Sequence, residues 1–316
     1  MQFKHENVES FRINAENQQF RISSNQAPDL LRDSVERLGL LDPPILLPTD
    51  HRFTVVSGFK RIEAARDLGW KKIPCKLLPP DVSIRLCVRI AISQNTTQRT
   101  LDIIEVSRAL ALLKSSFEKA DVPGEALRLG LPANQGRIDE LEPLCKLPPR
   151  IVNAVRSDSI AVPVALDLSK MSEKEADAFA DIFLSSNCSL NKQREIVQMA
   201  REIGLRDDQS ISDVLLKNTL RSIVKNPDLD KNRKAREIRS YLRKIRYPNV
   251  VEAEKNFAET VELLGLEPGM KLIPPKDFEG SAYVLHLGFR NVDELKKRSE
   301  KLREMLNGPE IEKLFE

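Results

Sequence analysis

Near residue 80 the hydrophobic pattern of the chain changes period, and that switch limits what it can fold into. Up to roughly Pro80, short β-branched runs alternate with short amphipathic stretches; beyond Val82 the apolar spacing is helical for well over a hundred residues. A chain of this kind predicts a small α/β module followed by helices. In the first part, Leu30, Leu31, Ser34, Val35 and Leu38 keep helical spacing behind Pro28, and Gly39 ends the run. Pro43-Pro44 opens a strand over Ile45–Leu47, Asp50-His51 makes a turn, and Phe53–Val56 is a second strand. Gly58 then breaks into a helix running to Leu68-Gly69, and Ile73 to Leu78 predicts a third strand.

Ile103, Val106, Leu110 and Leu113 mark a long amphipathic helix. Shorter helices follow, broken at Pro123-Gly124, Gly130, Pro132 and Pro148-Pro149, a pattern that fits a helix-turn-helix or any small bundle. The tail predicts a helix from Val250 to Leu264 capped by Gly265. Strands follow at Met270–Ile273 and Tyr283–Phe289, then a last helix from Val292 to Leu306. About seventy residues is near the lower limit for an independent core, so this α-β-β-α unit calls for a second copy.

Composition excludes several classes. With 316 residues the chain exceeds a single usual core, and two or three domains are expected. Apolar residues at 41% and charged residues at 31% suit a soluble, charge-rich chain. No apolar run is long enough to span a bilayer and the start, MQFKHENVES, lacks a signal-peptide stretch, so a cytoplasmic location is expected. Cys75, Cys87, Cys145 and Cys188 form no C-x-x-C pair, and His5, His51 and His286 show no metal-ligand spacing. No carboxylate cluster suits a two-metal nuclease.

The net charge of +3 is uneven: Lys217 to Tyr247 holds eleven Lys/Arg against three acidic residues, a local +8 that points to a polyanion. Within it Ile238, Leu242 and Ile245 predict an apolar helix face, leaving Arg236, Arg239, Arg243, Lys244 and Arg246 for phosphates; a solvated linker is the alternative. A second cationic feature lies where the Phe53–Val56 strand meets Ser57-Gly58-Phe59-Lys60-Arg61. Backbone N–H groups, a glycine and two cations at a helix start favour an anion, although a capped surface helix has the same sequence.

The order of these segments carries a resemblance. Leu31 to Ile45, Val55 to Ala65, Leu68-Gly69-Trp70 and Ile73-Pro74-Cys75 resemble the ParB N-terminal domain segment by segment. The resemblance implies a ParB/sulfiredoxin-like α/β fold and a CTP site in which Gly58, Lys60 and Arg61, with Ser57 beside them, hold phosphates. The family's next nucleotide motif, Glu-Asn-x-x-Arg, corresponds to Gln94-Asn95-Thr96-Thr97-Gln98, with Arg99 one place late. Gln94, Asn95, Gln98 and Arg99 thereby join the implied site. Gln94 stands where the family has glutamate, and Phe59 replaces the glutamate that usually follows the glycine. Both changes remove hard oxygen ligands for Mg2+, the companion ion of CTP.

Leu144-Cys145-Lys146-Leu147-Pro148 resembles the Leu-Leu-Lys-Leu-Pro signature of the family's DNA-binding domain. It places the turn near Gly130–Gln135 and the recognition helix over Gly136–Leu144, with Asn134, Gln135 and Arg137 toward DNA. Leu166 stands where the family has an arginine in a His-Ala-Arg run. The tail, with Phe289 and Glu294-Leu295, is similar to the family's C-terminal dimerisation domain.

The resulting expectation is a multidomain protein, α/β then all-α. A nucleotide-binding domain spans 1–100, a helical helix-turn-helix DNA-binding domain 101–206, a basic helix or linker 207–248, and an α-β-β-α dimerisation domain 249–316. The resemblance implies a homodimeric, nucleoid-associated, CTP-responsive DNA clamp in chromosome or plasmid segregation, with a ParA-type ATPase as partner and no membrane. The alternative is a helix-turn-helix transcription regulator of the same superfamily without CTP turnover. Weak CTP hydrolysis stays an open question. Sulfiredoxin-like redox chemistry does not fit, because the loop reads Ser57-Gly58-Phe59 and offers no thiol.

Overall fold

The computed structural model describes residues 3–23 and 29–312. Pro28, read as a helix start, lies outside the described residues. The chain divides into two compact units, 1–180 and 181–316.

The first unit begins with β1 (Lys4–Glu9) and β2 (Ile13–Asn14), then α1 (Asp29–Leu38), β3 (Ile45–Thr49), β4 (Arg52–Ser57), α2 (Phe59–Asp67) and β5 (Lys72–Leu77). The strands form one mixed sheet in the order β1-β5-β3-β4-β2. β1 is antiparallel to β5, β5 parallel to β3, β3 antiparallel to β4, and β4 parallel to β2. β4 is buried from Phe53 to Ser57 on both faces, as a near-continuous apolar strand demands. Val55, Leu46, Ile73, Phe59 and Ile62 meet in the core. α1 packs on α2 and ends at Gly39, whose φ of 73° suits glycine. Only Val35 of α1 is buried, however; Leu30 and Leu38, read as part of its inward stripe, are exposed.

α3 (Ile84–Thr96) packs against β4 and leads into α4 (Ile103–Ser116). Then come α5 (Val122–Arg128), α6 (Gln135–Leu141), a 3-10 turn over Glu142–Lys146, α7 (Pro149–Arg156) and α8 (Val162–Leu168). Pro123 and Gly124 do not break a helix; they sit in the first turn of α5, where a missing N–H costs nothing. α6, the helix expected to read DNA, is shorter than its expected Gly136–Leu144 span. It stops at Leu141, and Pro143, which cannot donate, lies in the first turn of the 3-10 segment. Ser107 of α4 fastens this segment: fully buried, it donates to Glu142 O at 2.9 Å and accepts from Cys145 N at 2.8 Å.

The division between units falls within α9 (Glu173–Ser185). The second unit continues with α10 (Leu190–Asp207), α11 (Ile211–Leu215), α12 (Asn218–Lys225), α13 (Lys231–Arg246) and α14 (Pro248–Leu264). It closes with β6 (Met270–Ile273), β7 (Val284–Leu287) and α15 (Val292–Asn307). Ile238 and Leu242 of α13 are fully buried, as the apolar face requires, and α13 packs on α10, α12 and α14. β6 and β7 pair antiparallel, with Met270 opposite Leu287, and Gly265 ends α14 in the left-handed region.

Ser107→Ala should leave a buried carbonyl and a buried N–H without partners. Unfolding free energy should drop by roughly 1–3 kcal/mol in a denaturant titration. An unchanged midpoint would show that Ser107 does not hold α4 to the 3-10 segment.

Candidate functional site

The cationic loop and the motif some forty residues later are built on separate elements that the sheet brings together. Ser57 ends β4, Gly58 caps α2 with a φ of 93°, and Lys60 and Arg61 occupy the first turn of that helix. A Cβ at Gly58 would stand 2.9 Å from Pro44 Cα, so the turn needs glycine for space as well as conformation. Gln94 and Asn95 lie in the last turn of α3, and Gln98 and Arg99 follow its end.

All eight of these residues line one cleft of about 200 Å3, together with Phe20, Ile22, Ser23, Leu31, Val56 and Phe59. Among the described residues its lining carries three cations, Lys60, Arg61 and Arg99, and no carboxylate. The volume is below the ~300 Å3 at which drug-sized pockets begin, and suits the phosphate end of a nucleotide better than a whole one.

Carboxylates stand just behind the cations. Arg61 Nη1 donates to Asp42 O at 2.6 Å and pairs with Asp42 Oδ2 at 2.8 Å; Lys76 Nζ holds Asp42 Oδ1 at 2.8 Å, and Gln98 Nε2 reaches Oδ2 at 3.3 Å. Partial burial would push the Asp42 carboxyl up, but Lys76, Arg61 and Gln98 outweigh it and hold it below its ordinary value. Arg99 grips Glu105 in a bidentate pair at 2.5 and 2.8 Å. Glu105 Oε2 also accepts from Asp102 N at 3.1 Å, closing a capping box in which Asp102 receives the N–H groups of Ile104 and Glu105. The Glu105 side chain is only 3% exposed. Burial opposes its charge, yet Arg99, Asp102 N and the nearby Lys60 lower its pKa overall.

Among the described residues Lys60 has no ion-pair partner. Burial lowers its pKa first; Glu105 works against that, while Arg99, Arg21 and Arg156 add to it. A half-buried, unneutralised ammonium beside a helix start is the group an incoming phosphate would relieve most.

Sequence reasoning missed part of this site. Arg21 pairs with Glu63 and lies over the Phe59 ring at 5.3 Å, and Arg108 donates to Ile22 O and Ser23 O at 3.2 and 2.9 Å. These contacts join segments up to 86 positions apart, and no spacing along the chain signals them. Cys75 is buried in β5 and burial pushes its thiol up to about 12, so it supplies no thiolate.

The residues read as DNA-facing fall on two elements, α6 in the first unit and α13 in the second. Asn134 is the N-cap of α6 and accepts from Arg137 N at 3.1 Å; Gln135 donates to Asp139 at 2.9 Å, and Arg137 pairs with Glu140 at 2.6 Å. In the second unit Arg236 and Lys244 are exposed, but Arg239, Arg243 and Arg246 are not free for phosphates as expected. They pair with Glu195, Glu254 and Glu202 at 2.7, 2.6 and 2.6 Å, because α13 packs between acidic positions of α10 and α14.

Glu105→Gln should remove the charge while keeping the shape, and lower stability by roughly 2–4 kcal/mol, toward the lower end because Arg99 is 41% exposed. The folded pKa of Glu105 lies below its ordinary 4.5, so this stabilisation is present above that pH and lost as pH falls through the lowered value. Acid titration of unfolding should show wild type approaching the variant below pH 4.5; parallel curves would contradict the pairing.

Residues 3–96 match the ParB N-terminal domain family model. The chain is 24% identical over 98 residues to the probable chromosome-partitioning protein ParB of Coxiella burnetii, covering 31% of this chain and 33% of that protein. It is 28% identical over 138 residues to the nucleoid occlusion protein of Bacillus cereus strain AH187, covering 43% and 46%. A probable ParB of Campylobacter jejuni matches at 21% over 192 residues, 61% and 67%. The chain thus spans a third to two thirds of the length of these curated relatives. Among solved structures, C-terminally truncated ParB from Caulobacter crescentus complexed with CTP-gamma-S shares 19% identity. It covers 57% of this chain and 99% of that one, with a TM-score of 0.27. The same protein complexed to the centromeric parS site gives 17%, 60% and 96%, with a TM-score of 0.34. Over residues 3–96 the chain carries a ParB N-terminal domain.

Proposed function

We propose that the protein is a CTP-responsive, DNA-associated partition protein: nucleotide binds in the cleft of the first unit and DNA is held by exposed cations. The observation that carries this reading is the convergence of Ser57, Gly58, Lys60, Arg61, Gln94, Asn95, Gln98 and Arg99 on one cleft lined by three cations. Backbone N–H groups at the start of α2 supply donors beside them. The finer division follows the sequence: nucleotide binding over 1–100, DNA binding over 101–206, a basic helix over 207–248 and dimerisation over 249–316. The names of the relatives, chromosome-partitioning and nucleoid occlusion proteins, support a nucleoid-associated role; a ParA-type ATPase as partner follows only from the resemblance of the sequence. A regulator that binds nucleotide without turning it over is the second reading, favoured by the absence of carboxylates from the cleft lining.

The α-β-β-α tail supports a homodimer. Its buried core among the described residues is Leu264, Met270 and Met305. Leu263, Val284, Phe289, Val292 and Leu306 stay exposed, and a second copy would cover them.

For DNA, the ion pairs of Arg239, Arg243 and Arg246 shift the burden to the cations that remain exposed, Arg221, Lys225, Lys231, Arg236 and Lys244. Such contacts to phosphate are sequence-independent and salt-sensitive.

Calorimetry with CTP, GTP and ATP tests the cleft. Lys60→Ala is the informative variant, because Arg61 also braces Asp42 whereas Lys60 braces nothing. It should fold normally and lose at least about tenfold in CTP affinity; equal binding by variant and wild type would reject the assignment.

The DNA reading predicts that replacing Arg221, Lys225, Arg236 and Lys244 by Ala flattens the plot of log K against log salt by about one unit for each phosphate no longer neutralised. Arg239→Ala with Arg243→Ala should mainly reduce stability. If only the second pair changes the slope, the ion-paired residues hold the DNA.

A further inference from the structure

Nucleoside triphosphates in water travel largely with a divalent cation, and proteins that take the complex usually give Mg2+ one or two carboxylates besides the phosphate oxygens. The donor set of the cleft does not fit that ion. Among the described residues its lining includes no Asp, Glu or His, and no group of three or more His, Cys, Asp or Glu among them could hold a metal.

The carboxylates closest to the cleft's cations are already committed. Asp42 faces Arg61, Lys76 and Gln98, Glu105 faces Arg99 on both oxygens and the Asp102 N–H, and Glu63 faces Arg21. A metal ion drawing on Asp42 or Glu105 would first have to break a pair with a guanidinium or an ammonium; Glu63 keeps one buried oxygen unpartnered, but it does not line the cleft. Of the neutral donors, Gln94 Oε1 already accepts from Gln98 Nε2 at 3.3 Å, and neutral oxygens alone do not balance the charge of a divalent ion. Against this, Lys60 stands half-buried without an ion-pair partner among the described residues; Glu105 acts on it favourably from a distance, while Arg99, Arg21 and Arg156 oppose its charge. The site therefore has an excess of positive charge and a shortage of anionic ligands.

We propose that the cleft binds nucleoside triphosphate as the metal-free polyanion. Lys60 does most of the neutralising that Mg2+ does elsewhere, and Arg61 and Arg99 add to it as they are shared with Asp42 and Glu105, so Mg2+ competes with the protein for the phosphates. This inference rests on the nucleotide reading and deepens it. Without a metal bridging β- and γ-phosphate oxygens, bound nucleotide is held and not hydrolysed.

The test is calorimetric titration of the full chain with CTP in EDTA and in excess Mg2+. Binding in EDTA should exceed binding in Mg2+ by about threefold or more, because the free polyanion carries more charge than its magnesium complex. Gln94→Glu should reverse the order, by repelling free CTP and supplying a ligand to the metal. Binding that needs Mg2+ in the wild type would overturn the proposal while leaving the nucleotide reading intact. An unchanged EDTA-to-Mg2+ ratio in Gln94→Glu would also overturn it, since the lining would then not set the metal requirement. Absence of CTP, GTP and ATP binding in both buffers would remove the nucleotide reading, and this inference with it.

Discussion

The bidentate pair between Arg99 and Glu105 connects the cleft to the helices that follow it. Glu105 is buried, completes the capping box of α4, and is one of the charges that act on Lys60. Arg99 lines the cleft. One carboxylate therefore sets both the start of a helix and the electrostatic state of the site. A phosphate that attracts Arg99 has to compete with Glu105, and any loosening of that pair is felt at the first turn of α4. α4 in turn holds the 3-10 segment after α6 through Ser107, so the cleft and the helices of the first unit share a chain of polar contacts. Energetic coupling along such a chain needs two arrangements of the same pair, and a phosphate competing with Glu105 for Arg99 would offer them.

The second unit uses its charges differently. In α13 the sequence places cations around all but the apolar face, and the fold commits three of them to Glu195, Glu254 and Glu202. Half-buried pairs of this kind position helices as much as they stabilise them. A local charge count thus overstates what remains for a polyanion, and only residues that project away from α10 and α14 keep that role. The same holds for α6, whose polar side chains cap and brace their own short helix.

Much of the fold was legible in the sequence where pattern and turn chemistry agree. The strands at Ile45 and Phe53, the helix after Gly58, the strand near Ile73 and the β6–β7 hairpin all lie within a few residues of their expected places. The strand Lys4–Glu9 was not legible: its sequence, KHENVE, is polar, and it exists because its backbone pairs with β5 at the sheet edge. The length of α6 was misread because apolar spacing continues past Leu141 while Pro143 stops the backbone ladder. The cleft's eight residues were accessible through resemblance, but Arg21, Asp42 and Glu105 gain their roles from contacts between distant segments. Period and spacing carry no record of such contacts.

Hydrogen–deuterium exchange of the full chain with and without CTP tests the central claim most directly, because it reports the cleft and the α4 start in one experiment. Ligand in the cleft should slow exchange at residues 57–62 and 94–99, and alter it at 102–106, where Glu105 closes the capping box. Exchange that is unchanged at both cleft segments under saturating CTP, or protection confined to other parts of the chain, would contradict the account.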